Sequence, residues 1–138
     1  MVIVSACLAG FNCRYCGDNK ANEKIIQLIK EGKAVPVCPE QLGGLPTPRK
    51  VVEGPIDGKV CSQDGEDFTE AFTKGAYEVL NFCKKINCTK AILKSYSPSC
   101  GVNKIYDGNF NETLIDGNGV TAKLLKENGI KVISDKDL

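Results

Sequence analysis

The chain has 138 residues, with 18 lysines and arginines against 17 aspartates and glutamates, eight cysteines and no histidine. A chain of about 150 residues buries about 70% of the surface that it exposes when unfolded, so it can build a substantial hydrophobic core. The net charge of +1 gives no electrostatic signal for binding nucleic acid or an anionic membrane. The absence of histidine excludes catalytic triads with a histidine base and zinc sites that need imidazole.

The chain shows no sign of a membrane anchor or of division into domains. No segment reaches the roughly 18 consecutive apolar residues of a membrane-spanning helix, and residues 1–8 lack the basic leader of a secretory signal. Repeats, low-complexity tracts and long linkers are absent. We therefore expect a single domain over residues 1–138, located in the cytoplasm. Cytoplasmic cysteines usually stay reduced, so the eight cysteines point to metal binding, catalysis or burial before disulfide bonds.

Hydrophobic periodicity predicts a strand, a helix and a second strand in the first part of the chain. The apolar run over 2–7 predicts a buried strand. Asn22 is a predicted N-cap for a helix that ends near Gly32. The segment 34–38 predicts the second strand, and Pro36 indicates that this strand lies near an edge of the sheet or begins late.

The remainder of the chain alternates strands and helices, with hairpins between them. In chain order we expect one or two hairpins over 51–67, a helix over 68–86, a strand over 90–94, a hairpin around 107–108, a helix from an Asn118 cap to Gly129, and a strand over 130–133. This alternation favours an α/β fold: an open, mostly parallel, Rossmann-like sheet with helices on both faces and short β-hairpin inserts.

Three cysteines follow three different predicted strands: Cys7, Cys38 and Cys100. Ligands of open α/β sheets bind beyond the carboxyl ends of the strands, so we expect these three thiols at the same edge. Three thiolates without histidine suit a soft metal centre, either zinc or an iron–sulfur cluster. Structural zinc usually takes four ligands in close pairs, so three dispersed cysteines fit a cubane cluster with one open iron better. Simple burial of each cysteine at a strand end is the alternative.

Cys13 and Cys16 form a C-x-x-C motif with the spacing of a zinc knuckle. The motif lies in a turn-rich loop and does not open a helix, so the helix dipole that activates redox pairs is missing. A zinc site built from Cys7, Cys13, Cys16 and one further cysteine stays open as an alternative. In that case the protein would be a non-enzymatic zinc- or cluster-binding module with a structural or redox role.

Several polar and small residues lie close to the three cysteines in sequence. Glu40 should project into the same crevice, where partial burial raises the pKa of a carboxyl group and suits it to general acid–base work. Ser97 can bind substrate or position water, although serines in such a loop also serve ordinary turn geometry. Gly43 and Gly44 allow the backbone to approach a ligand closely, and we assign them to substrate binding together with Ser99.

The motifs taken together resemble a known family. They are Ser5-Ala6-Cys7-Leu8, Cys13-Arg14-Tyr15, Cys38-Pro39-Glu40, Gly43-Gly44-Leu45-Pro46, Pro48-Arg49, Lys94-Ser95 and Ser97-Pro98-Ser99-Cys100-Gly101. This set is similar to that of the small prokaryotic family catalogued as domain of unknown function 523, whose members include the thiouracil desulfidases. The resemblance extends over nearly the whole chain.

The resemblance implies an oxygen-sensitive 4Fe–4S cluster with Cys7, Cys38 and Cys100 as ligands and one iron left open. It also implies a desulfidase that removes sulfur from a thiolated nucleobase such as 2-thiouracil, giving uracil and sulfide, with the open iron binding the sulfur. Glu40 then takes the acid–base role and Ser97 a role in activating the substrate. The expected partner is this small molecule, with no membrane or nucleic-acid partner indicated and the oligomeric state left open.

One position departs from the pattern of the family. Cys16 stands where members more often have aspartate. A fourth thiolate at this position would close the open iron and convert a catalytic centre into a structural or redox one.

Overall fold

A four-stranded parallel sheet forms the centre of the computed structural model, which describes residues 1–138. The strands are β1 Val2–Ser5, β2 Ala34–Val37, β3 Val52–Ile56, β4 Lys59–Ser62, β5 Lys90–Leu93, β6 Lys104–Tyr106, β7 Leu114–Asp116 and β8 Lys131–Ser134. The helices are α1 Glu23–Lys30, α2 Pro39–Leu42, α3 Thr69–Lys85 and α4 Val120–Glu127, and short 3₁₀ turns span Ala6–Ala9 and Asp135–Asp137.

The order of the strands in the parallel sheet is β2-β1-β5-β8, and β3–β4 and β6–β7 form two separate antiparallel hairpins. This arrangement confirms the predicted α/β fold class. Pro36 lies in β2, which is an edge strand of the sheet, where a proline is tolerated. The chain connects β1 to β2 on one side and then crosses to β5 on the other side of β1. The boundary between β1 and β5 is therefore the topological switch point, where sheets of this type bind ligands.

Side chains alternate between the two faces of the sheet, and each face is covered by helices. Ile3 and Leu93 pack in one core with residues of α3 and α4, whereas Val4 and Ile92 pack in a second core with Ile25 of α1. Successive residues of a strand point to opposite faces, so strands buried on both sides read as continuous apolar runs. The predicted helices on both faces of the sheet are confirmed.

The two predicted N-caps have different outcomes. Asn22 caps α1 as predicted, because its side chain accepts hydrogen bonds from the Lys24 and Ile25 amides. The expected Asn118 cap is wrong. Gly119 occupies the N-cap of α4, and Asn118 accepts hydrogen bonds from elsewhere. The first amides of α4 bind carbonyl oxygens of another loop, so they need no capping side chain.

The hairpins differ in their connections. Asp57 and Gly58 join β3 to β4 with φ of 49° and 77°, the left-handed pair of a type I′ turn, as the sequence pattern predicts. The second hairpin begins its turn at Asp107 but needs the whole segment 107–113 to reach β7. None of the helices is long and apolar enough to span a bilayer.

Candidate functional site

A cavity of about 450 Å³ lies beyond the carboxyl ends of β1, β2 and β5. Its lining includes five of the residues singled out from the sequence: Cys7, Cys38, Cys100, Glu40 and Ser97. They come from three segments that are far apart in the chain, and the parallel sheet brings these segments to one edge. The cavity opens at the topological switch point, where an α/β sheet of this type binds its ligand.

Short structures that follow the strands position the first two thiols. Cys7 lies in the 3₁₀ turn immediately after β1, and Gly10 ends that turn with a φ of 97°. Cys38 occupies the N-cap of α2, a single helical turn that begins with Pro39. A proline suits this first helical position because its φ is already helical and its missing N–H would have no partner there. Both cysteines therefore lie in the cavity wall, directly after the strands that precede them.

The loop that carries Cys100 is held by the N-terminus of α4. The amide of Val120 donates to the Pro98 carbonyl at 2.9 Å, and the amide of Thr121 donates to the Ser99 carbonyl at 2.9 Å. The Ser99 and Thr121 hydroxyls also form a buried hydrogen bond of 2.8 Å. These contacts satisfy the free amides of the helix and fix the loop at the same time.

Burial and hydrogen bonding shift the pKa values of the three thiols in different directions. Burial raises the pKa of Cys7 to about 11, with Lys94 opposing the shift, and raises that of Cys100 to about 12. A hydrogen bond with the Cys13 thiol lowers the pKa of Cys38, and the Gln41 amide lowers it further. Metal ligation requires thiolates, and a cationic metal centre favours them over the buried thiols.

Glu40 lies in an ion pair with Arg49 at the wall of the cavity. Arg49 Nε donates to Glu40 Oε2 at 2.7 Å, and Nη2 contacts the same oxygen. The side chain of Glu40 is 13% exposed and that of Arg49 is 8% exposed. Burial raises the pKa of Glu40 above its usual range, while Arg49 and a hydrogen bond from Ser97 oppose the rise. A carboxyl group with a raised pKa at a cavity wall suits general acid–base work.

Ser97 is fixed by the backbone of its own loop. Its Oγ accepts the amides of Ser99 at 3.1 Å and Cys100 at 3.0 Å. The Ser97 hydroxyl also lowers the pKa of Glu40, so it lies close to that carboxylate. Ser97 thus links the Cys100 loop to the carboxylate.

Arg49 belongs to the family motifs, but sequence reasoning assigned it no role in this site. Besides Glu40, its guanidinium donates to the Cys13 carbonyl at 2.9 Å and to Thr47 Oγ1 at 3.0 Å. It therefore joins the Cys13 loop, α2 and the 46–49 segment. The available signal was the family motif Pro48-Arg49, which follows the uncharged stretch 41–48.

Three residues assigned to substrate binding do not line the cavity: Gly43, Gly44 and Ser99. Gly43 does allow a close backbone approach, but the neighbour is α3 and not a ligand. Ser99 is fully buried and hydrogen-bonded to Thr121. Gly43 and Ser99 thus have structural contacts here, and the contact of the three residues with substrate stays a prediction.

The C-x-x-C pair does not converge on one site. Cys13 is buried and lines the cavity beside Cys38, whereas Cys16 is exposed, lies outside the cavity and has Asp18 as its hydrogen-bond partner. The proposed zinc site that needs both thiols is not formed. Cys16 is likewise not placed to close an open iron.

The donor set at the cavity fits an iron–sulfur cluster. Cys7, Cys38 and Cys100 are all free thiols, and thiolates are the protein ligands that hold 4Fe–4S clusters. No group of three or more histidine, cysteine, aspartate or glutamate side chains is arranged to hold a single metal ion. The three cysteines line the same cavity at one edge of the sheet.

Fold and site together define an α/β protein with a thiol-lined ligand cavity at the switch point of a parallel sheet. The family model of the 2-thiouracil desulfurases matches residues 2–137, and the chain belongs to this family. An uncharacterised protein of Bacillus subtilis (strain 168), YbbK, is 46% identical over 147 aligned positions, which cover 100% of this chain and 97% of YbbK.

A solved structure shares the fold and much of the sequence. It is the [4Fe-4S]-dependent thiouracil desulfidase TudS, to which this chain is similar with a TM-score of 0.94 and 41% identity. The match covers 99% of this chain and 91% of that chain. The family predicted from the sequence motifs is thereby confirmed.

Proposed function

We propose that this chain is a desulfidase that removes sulfur from a thiolated nucleobase such as 2-thiouracil, using a 4Fe–4S cluster held by Cys7, Cys38 and Cys100. The observation that carries the proposal is the convergence of three thiols from three strand ends on one cavity, with Glu40 and Ser97 in its wall. Membership in the 2-thiouracil desulfurase family and the similarity to TudS support it.

The overall reaction is a hydrolysis and needs no oxidant or reductant. Water supplies the oxygen that replaces sulfur at the carbon of the C=S group, and sulfur leaves as sulfide. A 4Fe–4S cluster with three cysteine ligands supplies a Lewis-acidic iron with a free coordination position for sulfur.

The protein groups supply proton transfer and positioning. Glu40 accepts a proton from the attacking water and returns it to the departing sulfur or the adjacent ring nitrogen. Arg49 binds the Glu40 carboxylate and Ser97 lies beside it, so the carboxylate keeps one orientation at the cavity wall. The fixed orientation holds the base within reach of its proton, which general base catalysis requires.

The Glu40→Gln variant tests this assignment. Anaerobically reconstituted wild-type protein should release sulfide and uracil from 2-thiouracil, and Glu40→Gln should lower kcat by at least about 100-fold because the amide cannot accept the proton. The measurement is sulfide release together with uracil formation, and the iron content of each sample is determined in parallel. Glu78→Gln, an exposed carboxylate on α3, is the matched control.

The outcomes separate the two parts of the proposal. Full activity of a Glu40→Gln protein that retains its iron removes Glu40 from the mechanism. A wild-type protein that contains the cluster and releases no sulfide from 2-thiouracil contradicts the proposed substrate.

A further inference from the structure

The outer wall of the cavity is formed by the loop 107–113 between β6 and β7. Phe110 and Glu112 of this loop line the cavity. They have φ of 56° and 61°, and Gly108 has a φ of 89°. Residues with side chains rarely adopt this left-handed region, and such conformations persist where surrounding contacts enforce them. A specific contact must therefore hold this loop in place.

That contact is the carboxylate of Glu53 on β3. Its Oε1 accepts the amide of Gly108 at 3.0 Å and the amide of Phe110 at 3.1 Å. Backbone amides that converge in this way form a concavity suited to an anion. Hydrogen bonds to an ionised acceptor are roughly twice as strong as neutral ones. Glu53 is 9% exposed and itself lines the cavity, so solvent competes weakly for these bonds.

The wall that Glu53 holds is aromatic. Phe110 is half-buried at the cavity, and Tyr96 and Tyr106 line the same cavity with their rings in an edge-to-face pair, centroids 6.1 Å apart. Flat heteroaromatic bases bind to aromatic faces by stacking. A ring held at a constant position offers such a face without the entropic cost of ordering the loop on binding.

We propose that Glu53 is a positioning residue for the substrate. Its two hydrogen bonds hold the loop 107–113 so that Phe110 forms one wall of the site for the planar base. This inference rests on the proposed function of the protein. Glu53 acts through Phe110 and takes no part in proton transfer, so its loss weakens binding and spares the chemical step.

The first test separates KM from kcat in reconstituted protein with 2-thiouracil. Glu53→Gln keeps the size of the side chain and replaces a charged acceptor by a neutral one, so KM should rise about fivefold while kcat stays within about twofold. Glu53→Ala removes the acceptor and should raise KM further. Phe110→Ala should reproduce the rise in KM, and Phe110→Tyr, which keeps an aromatic face, should restore a value near that of wild type.

The second test is independent of turnover. In Glu53→Gln the amide hydrogens of Gly108 and Phe110 should exchange with solvent about tenfold faster, because the charge assistance of two hydrogen bonds is lost. Glu112→Gln is the matched control: it removes the same charge from the same cavity without touching either bond. In that variant the exchange of the two amides should be unaltered.

Each outcome bears on a different statement. Wild-type turnover with an unchanged KM in both Glu53→Gln and Phe110→Ala overturns the positioning role. Unchanged amide exchange in Glu53→Gln shows that Glu53 does not hold the loop. Wild-type protein that neither converts 2-thiouracil nor binds it in equilibrium dialysis overturns the proposed function and the substrate role of Glu53 with it. In that case amide exchange still decides whether Glu53 holds the loop 107–113.

Discussion

At the scale of single residues, the ion pair between Glu40 and Arg49 is the interaction with the largest consequences. Both side chains are nearly buried, and Arg49 also binds the Cys13 carbonyl. Removing one partner of a buried ion pair is strongly destabilising, because it leaves an uncompensated buried charge. The pair therefore maintains both the charge and the orientation of the carboxylate that we assign to proton transfer.

A double-mutant cycle on this pair should show strong coupling. Arg49→Gln alone should lower the free energy of unfolding by about 3 kcal/mol, since it leaves a buried carboxylate unpaired. Arg49→Gln combined with Glu40→Gln should cost clearly less than the sum of the two single changes. Denaturant unfolding of the reduced protein measures each variant.

The exposed pair of Lys104 and Asp116 provides the matched control for this cycle. Their side chains are 53% and 91% exposed, so water screens the interaction and the same cycle should find only weak coupling. Equal coupling in the two pairs, or additive effects at Glu40 and Arg49, would show that burial does not strengthen the pair.

At the scale of elements, the packing of α2 against α3 decides where Cys38 and Glu40 lie. A Cβ added at Gly75 of α3 would overlap the Pro39 carbonyl, and one added at Gly43 would overlap the Ala71 carbonyl. The two helices therefore meet backbone to backbone. Periodicity analysis predicts α3 correctly but cannot detect α2, because its four residues are too few to show a helical repeat.

Gly75→Ala should destabilise the protein although alanine is the better helix former. The gain in helix propensity is about 1 kcal/mol, and overpacking of a tight contact costs about 1–3 kcal/mol. Because the displaced element carries Cys38 and Glu40, iron retention after reconstitution should also fall. Thermal unfolding and iron analysis measure the two effects.

Lys74→Ala, at an exposed neighbouring position of the same helix, is the control and should change stability by less than about 0.5 kcal/mol. If Gly75→Ala raised the melting temperature and kept the full iron content, the close approach of the two helices would have no role in positioning the site.

At the scale of the whole molecule, the crossover between β2 and β5 creates the site. The chain passes from one side of β1 to the other, and this passage opens a crevice at the carboxyl ends of the central strands. Cys7, Cys38 and Cys100 reach that crevice from three separate strands. No segment of the chain can form the site by itself.

Each of the three proposed ligands should be required for the cluster. Anaerobic reconstitution of the wild type should give about four irons per chain with matching acid-labile sulfide. Cys7→Ser, Cys38→Ser and Cys100→Ser should each lose most of this iron, because a hydroxyl is a poor substitute for a thiolate.

Cys16→Asp is the control for this series, because Cys16 is exposed and lies outside the cavity. This variant should keep the iron and the sulfide. Loss of iron in Cys16→Asp, or full iron content in any of the three serine variants, would contradict the proposed ligand set.

The sequence determined the elements and the edge of the sheet at which the thiols meet. Continuous apolar runs, a helical repeat over 68–86 and the Asn22 cap are local signals, and local signals can be read without knowing the fold. Once the alternation of strands and helices indicates a parallel sheet, the rule for its carboxyl edge brings Cys7, Cys38 and Cys100 together. The family motifs then added the class of reaction.

Only the tertiary structure decided the contacts that complete the site. Arg49 reaches Glu40 from a segment without a periodic pattern, and Glu53 binds amides 55 and 57 positions away in the chain. Gly43 packs on a helix that the sequence does not place beside it. Such pairings depend on how the elements dock, and docking follows from side-chain packing over the whole molecule, which residue type and local spacing do not specify.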